Sequence, residues 1–445
     1  MPSGYRPDRE TDFAGFPSTT PIVIDNGAST FRIGWAGEAE PRVAFRNIVQ
    51  RPRHRSSGET VTVVGDTDPA LMKYFDCTRS AIRSPFDDDV VYQFEYMEYI
   101  LDFGFDRLGA TSEVGHPILM TECECNPSFS RARMSELLFE TYGVPSIAFG
   151  IDDVFSYKYN QKLGNCGEDG LAISCEHGTC HVVPFLKGEP VLGACCRTNV
   201  GGFHITDFLR QLLSLKYPYH SASITWEKAE ELKKEHCYVA LDYMSELQIF
   251  KLKEKKKQIL LKTTTEGRMR AKQRRAEEEA LREKQEEERP EAVQQTPEPP
   301  KVWTLTAEDY RISIGIERFR CPEILFQPGM IGIDQAGIDE MVSISLRRLM
   351  EDEAVKERLC QSILVTGGCS LIPGMIPRLE SGIRQFRPYL SPLKLVRAAD
   401  PLIDAWRGAA AFAASSKFGR HTFSLADYRE HGENLFHRYN IVYSL

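Results

Sequence analysis

The sequence has 445 residues, of which 42% are hydrophobic and 27% are charged, and its formal net charge is −8. This length predicts two or three domains, each large enough to bury a core. The negative net charge excludes a protein that binds nucleic acid over its whole surface, so any contact with DNA must be local. No apolar run approaches the roughly 20 residues that span a membrane. We expect the twelve cysteines to be free thiols in a reducing compartment, because residues 1–20 lack the apolar core of a secretory signal.

Strand and helix signals alternate along the first third of the chain. The segments Pro21–Asp25 and Arg32–Trp35 flank a turn of small residues and predict a hairpin. Alternating β-branched residues predict a further strand over Thr60–Val64. Apolar residues at helical spacing predict a helix over Ser130–Tyr142, and Gly143 suits the position just after its end.

A comparable order of elements begins again near the middle of the chain. Leu171–Ser174 and His181–Leu186 predict a second hairpin, and Ser362–Thr366 predicts a strand that enters the turn Gly367–Gly368. This repetition predicts two α/β lobes of related design, with nucleotide loops that face a cleft. The predicted divisions are a flexible arm at 1–20, a first lobe at 21–160 and a second lobe at 161–445.

Charge composition sets one segment of the second lobe apart. Residues 251–257 are mostly lysine, residues 266–289 mix acids and bases, and residues 290–300 are rich in Pro, Gln and Glu. We therefore predict an insertion at about 251–300 that forms no packed core. Three of its lysines are candidates for contact with DNA or histones, namely Lys255, Lys256 and Lys257. A solvent-exposed, charge-balanced helix is the alternative interpretation.

Several long strings of residues resemble the actin family. They are Glu317–Pro328, His236–Asp242, Asn26–Glu38 and Phe139–Thr141, and the match covers nearly the whole chain from Pro21 onward. Such strings are far more specific than a single glycine motif. The resemblance implies an α/β actin fold, with duplicated ribonuclease-H-like lobes, four subdomains and a central nucleotide cleft. It also implies a reduced second subdomain at about 55–112, and C-terminal helices at about 405–445 that pack back on the first lobe.

Other strings resemble one branch of that family, the actin-related subunits of INO-class (inositol-gene) chromatin remodellers. They are Arg83–Asp87, Cys125–Pro127, Tyr142–Pro145 and Gly150–Asp152. This resemblance implies a nuclear, non-catalytic scaffold that binds nucleosomal DNA and histones, the remodeller motor subunit and a small partner subunit, and no membrane. Two alternatives stay open: a filament-forming cytoskeletal ATPase, and a subunit of a histone-exchange remodeller.

The first phosphate loop keeps part of the family pattern. Asp25 stands where the family has the acid that orders water around the metal, and Asn26 and Gly27 continue the match. Arg32 stands where a lysine of the family reaches the phosphates, which preserves the charge but not the geometry. The resemblance therefore implies that these four residues are candidate nucleotide ligands.

The second phosphate loop departs from the family pattern. Ser174 and His177 replace two acids that the family uses around the metal, and Glu176 replaces a glycine of the turn. A carboxylate about 4 Å from a phosphate charge costs on the order of 4 kcal/mol at an effective dielectric near 20, unless the side chain swings out to solvent. Asp152 replaces the glutamine that positions the attacking water, whereas His181 keeps the second water-positioning place.

The remaining candidate positions complete the nucleotide site that the resemblance implies. They are Gly178, Gly201, Gly202, Lys233, Gly367 and Gly368. We expect no catalytic residue and no well-organised Mg²⁺, whereas ATP or ADP bound without turnover stays open. The basic residues Arg51, Arg53 and Arg55 are candidates for contact with DNA phosphates, and an ordinary solvated loop is the alternative.

Overall fold

The computed structural model describes residues 8–66, 74–76, 80–111, 113–253, 257–260, 269, 272–273, 276–277, 280–281, 310–349 and 352–438. Within them, strands β1 to β18 are, in chain order, Ile22–Asn26, Thr30–Trp35, Val43–Arg46, Val49–Gln50, Val63–Val64, Phe86–Asp87, Val90–Val91, Ile118–Glu122, Ser146–Ile151, Gly170–Cys175, Cys180–Leu186, Glu189–Pro190, Cys196–Thr198, Lys257–Leu260, Arg311–Ile314, Ile363–Thr366, Leu395–Arg397 and Phe423–Ser424. Helices α1 to α13 are, in the same order, Phe94–Leu108, Ser128–Glu136, Asp152–Lys162, Gly202–Lys216, Trp226–His236, Tyr243–Lys253, Glu317–Arg320, Ile338–Arg348, Glu353–Cys360, Met375–Gln385, Asp404–Ala413, Leu425–His431 and Leu435–Arg438.

Two sheets of related topology organise these elements. The first has the strand order β18-β9-β8-β1-β2-β3, and the second has the order β12-β11-β10-β16-β17 with β13 also paired to β11. In each sheet an antiparallel hairpin, β1–β2 or β10–β11, lies beside parallel strands, which are β8 and β9 or β16 and β17. The α/β fold class predicted from the sequence is therefore confirmed.

The central strand β1 is buried on both faces, as its continuous apolar sequence predicts. Ile22 and Ile24 belong to one core, and Val23 belongs to another. Helix α11 contributes Trp406 and Ala410 to the core that contains Val23. The C-terminal helices, which the resemblance expects to pack back on the first lobe, thus include one that packs on the first sheet.

Residues 8–20 differ from the flexible arm predicted for residues 1–20. Phe16 stacks on Trp35 with ring centroids 4.0 Å apart, and Phe13 contacts the same indole at 5.3 Å. Two aromatic side chains can anchor a segment whose overall composition is polar, because each buries a large apolar area. Composition alone therefore underestimated the packing of this segment.

Two predicted elements have different bounds in the structure. The helix predicted over Ser130–Tyr142 is α2 followed by one π-helical turn, Leu137–Thr141. The strand predicted over Thr60–Val64 is reduced to β5, because only its last two residues pair with β4. Thr60 instead forms an isolated bridge with Arg53.

The chain divides into two compact units whose boundaries differ from those of the predicted lobes. One unit contains residues 1–202, 335–371 and 379–445, and the other contains residues 203–334 and 372–378. Both large sheets belong to the first unit, and the predicted boundary near residue 160 falls between β9 of the first sheet and β10 of the second.

The predicted insertion at about 251–300 is described only in part. Its first residues continue α6, and Lys257–Leu260 forms β14, which pairs with β15. Ordered pairing therefore extends into a segment for which the lysine-rich composition predicted no packing.

Two further features of the described ranges concern membrane-spanning helices and disulfide bonds. No helix in them is long and apolar enough to cross a membrane. Every cysteine in them is a free thiol, as expected from the sequence.

A buried ion pair beside β8 provides a test of the first core. Arg131 Nε donates to both carboxylate oxygens of Glu122 over 3.0 and 3.2 Å, and both side chains are less than 8% exposed. We expect Glu122→Gln to lower the free energy of unfolding by about 3–5 kcal/mol, because it leaves a buried charge without its partner. Glu136→Gln, which breaks the exposed pair with Arg133 on the same helix, should cost less than about 1 kcal/mol. Equal shifts in urea-unfolding midpoints for the two variants would contradict this assignment.

Candidate functional site

An ion pair between a buried acid and a partly buried arginine occupies the first phosphate loop. Asp25 accepts a 2.8 Å hydrogen bond from Arg32 Nη1 and a 2.9 Å hydrogen bond from Thr121 Oγ1. The strand register places Asp25 and Arg32 opposite each other on β1 and β2. The arginine that was predicted to reach a phosphate is therefore paired with Asp25.

The turn that follows Asp25 is held by internal hydrogen bonds. Asn47 Nδ2 donates to Asn26 Oδ1 and to Gly27 O, each over 3.0 Å. The backbone N–H of Asn26 donates to Thr121 Oγ1 over 3.1 Å. Side chains of this chain thus supply the contacts that fix both candidate residues.

The second loop holds the carboxylate of Glu176 inside the hairpin. Ser174 lies opposite His181 in the β10–β11 pair, and Ser174 Oγ donates to Glu176 Oε1 over 2.7 Å. The backbone N–H of Glu176 donates to Thr179 O over 3.0 Å and closes the turn. The serine that replaces a family acid is therefore the partner of the glutamate that replaces a family glycine.

Glycines from two other loops approach the same hairpin. A Cβ on Gly201 would lie 2.8 Å from Glu176 O, a distance that real side chains do not tolerate. Gly367 adopts a φ of +80° against the backbone of β10, and Gly368 opens the turn that follows. The backbone N–H of Gly202 donates to Glu176 O over 2.8 Å. The structure thus brings these predicted site residues together around one backbone turn.

Four carboxyl groups and one imidazole converge in the same region. Glu124 follows β8, Asp152 and Asp153 begin α3, Glu176 follows β10, and His181 lies on β11. One ligand atom from each of Glu124, Asp153 and His181 lies within 4.8 Å of the others, and the same holds for Asp152, Asp153 and Glu176. Asp153 therefore belongs to both groups and links them.

Burial shifts the pKa of each member of this acidic cluster toward its neutral form. It raises the pKa of Glu124 to about 7 and lowers the pKa of His181 to about 3. Burial is the larger cause, and repulsion between the carboxylates the smaller cause, that raises the pKa values of Asp152, Asp153 and Glu176 well above their usual range. These directions mean that the cluster disfavours additional negative charge.

The acidic cluster does not fit a Mg²⁺–polyphosphate. Backbone N–H groups of small residues and unpaired cations normally cradle phosphates. Here Glu176 lies in the turn, Arg32 is paired with Asp25, and Arg197 donates to Asn199 Oδ1 over 3.0 Å. A polyphosphate would therefore meet carboxyl groups where it needs donors and positive charge.

The predicted DNA-contact arginines lie on an exposed segment. Arg51, Arg53 and Arg55 are all exposed. Arg51 Nη2 donates to Glu95 Oε1 over 2.6 Å. The backbone of Arg53 forms a bridge with Thr60.

The predicted lysines fall in other parts of the chain. Lys233 lies in the last turn of α5, which belongs to the second compact unit. Lys255 and Lys256 lie outside the described residues, and Lys257 begins β14.

Sequence reasoning did not identify Glu124 or Asp153 as site residues. Their sequence signals are an acid shortly after a buried strand and an acid in the first turn of a helix. Acids are common in the first turn of a helix, where they stabilise its dipole. Only the packing of β8, α3 and β11 shows that these two acids meet His181.

Comparison with known proteins identifies the family of this fold. The family model described as Actin matches residues 16–440. The chain therefore belongs to the actin family, and the paired sheets described above are its version of the actin fold.

Several relatives of this chain are named actin-related protein 5. The chain is 39% identical to the Arabidopsis thaliana protein over 98% of the chain and 99% of that relative, and 31% identical to the Homo sapiens protein over 88% of the chain and 84% of that relative. It is 47% identical to the Oryza sativa subsp. indica protein over 70% of the chain and all of that relative. The Arabidopsis alignment extends over 714 positions, so that relative contains residues that these 445 residues lack.

The raised pKa of Glu124 predicts a pH-dependent effect of its replacement. The test compares the free energy of unfolding of Glu124→Gln with that of the parent in buffer that contains a chelator. The variant should become increasingly more stable than the parent between pH 4.5 and about 7. In this range the unfolded parent releases the Glu124 proton, whereas the folded parent retains it, and this difference favours unfolding of the parent only. A shift of this size corresponds to roughly 3 kcal/mol. His181, whose pKa is lowered, acts with the opposite sign below pH 6.5, so the difference between the proteins is measured rather than either curve alone. A difference that does not change with pH would contradict the assignment.

Proposed function

We propose that this chain is a non-catalytic, actin-related scaffold subunit of a nuclear, ATP-dependent chromatin remodeller of the INO class. It binds nucleosomal DNA or histones, the motor subunit and a small partner subunit, and it couples the motor's ATP hydrolysis to nucleosome sliding. Membership of the actin family, the sequence strings of the INO branch and the relatives named actin-related protein 5 support the proposal. The observation that carries it is made in the second phosphate loop, where the Ser174 hydroxyl donates a hydrogen bond to the Glu176 carboxylate.

The geometry supports a scaffold rather than an ATPase for a charge-based reason. Catalysis of phosphoryl transfer depends on positioning and on cations that stabilise the developing negative charge. The second loop instead presents Glu176 beside Asp152 and Asp153, and the first loop uses Arg32 to neutralise Asp25. The carboxyl groups of the second loop would therefore repel the negatively charged phosphates of a nucleotide, and the first loop offers no unpaired arginine among its described residues to attract them.

A local basic surface is compatible with binding to DNA by an acidic protein. The net charge is −8, so attraction to phosphates must come from a patch rather than from the whole molecule. Arg53 and Arg55 are exposed and precede the bridge residue Thr60. Contacts between these arginines and DNA phosphates would release counterions and so favour binding. We therefore assign the nucleosome contact to this segment.

One change of the second loop tests whether it disfavours nucleotide. The variant Glu176→Gly should bind ATP at least tenfold more tightly than the parent, because removing one nearby negative charge is worth on the order of 4 kcal/mol. Glu189→Gly, which removes an exposed acid from the same sheet, should leave the affinity unchanged. Equilibrium binding of a fluorescent ATP analogue measures the affinity, and phosphate release measures turnover. Magnesium-dependent turnover by the parent that Asp152→Ala abolishes would contradict the non-catalytic assignment.

Affinity capture tests the proposed complex and its DNA contact together. The tagged full chain should retrieve from nuclear extract a remodeller motor ATPase and a small subunit, which mass spectrometry identifies. The variant Arg53→Glu, Arg55→Glu should retain these subunits but bind nucleosomes at least tenfold more weakly, because attraction to phosphates becomes repulsion. The control Arg384→Glu changes an exposed arginine of α10 and should bind nucleosomes like the parent. Retrieval of a histone-exchange motor, or ATP-dependent sedimentation of the purified chain as filaments, would replace the proposal with the corresponding alternative.

A further inference from the structure

The hydrogen bonds around His181 fix the direction of its free lone pair. Thr179 Oγ1 donates its proton to Asp89 Oδ2 over 2.6 Å, so it accepts from His181 Nε2, which lies 3.3 Å away. A neutral imidazole carries a single N–H. His181 Nδ1 therefore presents a lone pair, and this lone pair faces Glu124 Oε2 at 3.1 Å and Asp153 Oδ2 at 3.7 Å.

These converging acceptors are buried and lack donors. Glu124, Asp153 and His181 are 2%, 1% and 1% exposed. Four of their polar atoms make no hydrogen bond of acceptable geometry within the described part of the chain. These atoms are Oε1 and Oε2 of Glu124, Oδ2 of Asp153 and Nδ1 of His181. Buried polar groups of this kind require an explanation, and an ion is one of the few available. Other buried acids of the same unit have arginine partners, as in the Asp25–Arg32 pair.

We propose that Glu124, Asp153 and His181 bind a divalent transition-metal ion, with Zn²⁺ as the reference ion. Carboxylate oxygen and imidazole nitrogen are both Zn²⁺ ligands, at about 2.0–2.2 Å. Two ligands at that distance from a tetrahedral ion are separated by roughly 3.3–3.5 Å. The observed separations of 3.1 and 3.7 Å from His181 Nδ1 bracket this value. Mg²⁺ fits less well, because it prefers oxygen ligands and retains several waters.

The surroundings complete the features of such a site. Thr179 accepts the N–H of His181 and orients the ring, as outer-shell groups do for histidine ligands of metals. Asp152 or Glu176, which neighbour Asp153, or a water molecule supplies the fourth position. The ion joins the first sheet, through Glu124 after β8, to the second sheet, through His181 on β11. This site depends neither on nucleosome binding nor on nucleotide turnover.

Metal analysis of the purified full chain tests the proposal. After removal of metal with a chelator and dialysis against ZnCl₂, the parent should retain about one equivalent of Zn²⁺ at this site, and its melting temperature should rise with Zn²⁺ concentration. Glu124→Gln and Asp153→Asn should each weaken the affinity at least tenfold and lose this rise. Both variants remove a buried negative charge, so they should fold in chelator at least as well as the parent. Glu122→Gln serves as the control, because it loses a buried acid that is paired with Arg131 and should keep the Zn²⁺-dependent rise.

Cobalt(II) distinguishes this site from the cysteines. Bound Co²⁺ should give a visible absorption spectrum without a thiolate charge-transfer band, and both cluster variants should abolish that spectrum. Failure of the parent to retain metal would overturn the proposal in favour of a proton shared by the carboxyl groups of Glu124 and Asp153. Equal retention by the parent and the two cluster variants, or a thiolate-type spectrum, would overturn it in favour of a cysteine site.

Discussion

A buried carboxylate must be neutralised by a cation, a proton or a metal ion. The chain uses the first solution for Asp25, which Arg32 contacts, and for Glu122, which Arg131 contacts. Both pairs join neighbouring elements of the first sheet and its helices. Glu124 lies two positions after Glu122 and Asp153 lies in the first turn of α3, yet no described arginine or lysine forms an ion pair with them. Glu124 and Asp153 therefore need a proton or a metal ion to neutralise their charge.

The same constraint separates the fold from the chemistry expected of it. The strands of the actin fold are kept because their side chains are buried on both faces, so substitutions there would leave cavities or clashes. The turn residues of the phosphate loops, 27–29 and 176–177, are only partly buried and can change without loss of the sheets. Ser174 and Glu176 form such a change, because their mutual hydrogen bond replaces contacts to a ligand with a contact within the chain. An intact fold is therefore compatible with a site unsuited to polyphosphate.

Sequence patterns predicted what depends on local periodicity. The hairpin β10–β11 and its register follow from alternating and continuous apolar residues, so the position of Ser174 opposite His181 was accessible from the sequence. The family resemblance supplied the glycines that surround this hairpin. In contrast, Glu124 and Asp153 are 29 positions apart and come from different elements, so only tertiary packing brings them together. The anchoring of residues 8–20 by Phe13 and Phe16 was hidden for a similar reason, because composition averages over the few side chains that decide the packing.

Packing alone does not account for carboxylates at positions 124 and 153. Glutamine and asparagine have nearly the same shape and can hydrogen-bond to each other and to His181 without an ionisable group. Replacement of buried charged groups by neutral residues is often neutral or stabilising in proteins, so carboxylates at such a position carry a cost that amides avoid. That cost is offset if a divalent cation binds where the lone pairs of Glu124, Asp153 and His181 converge, since the ion supplies the missing positive charge. The ion would then connect the two sheets through Glu124 on one side and His181 on the other.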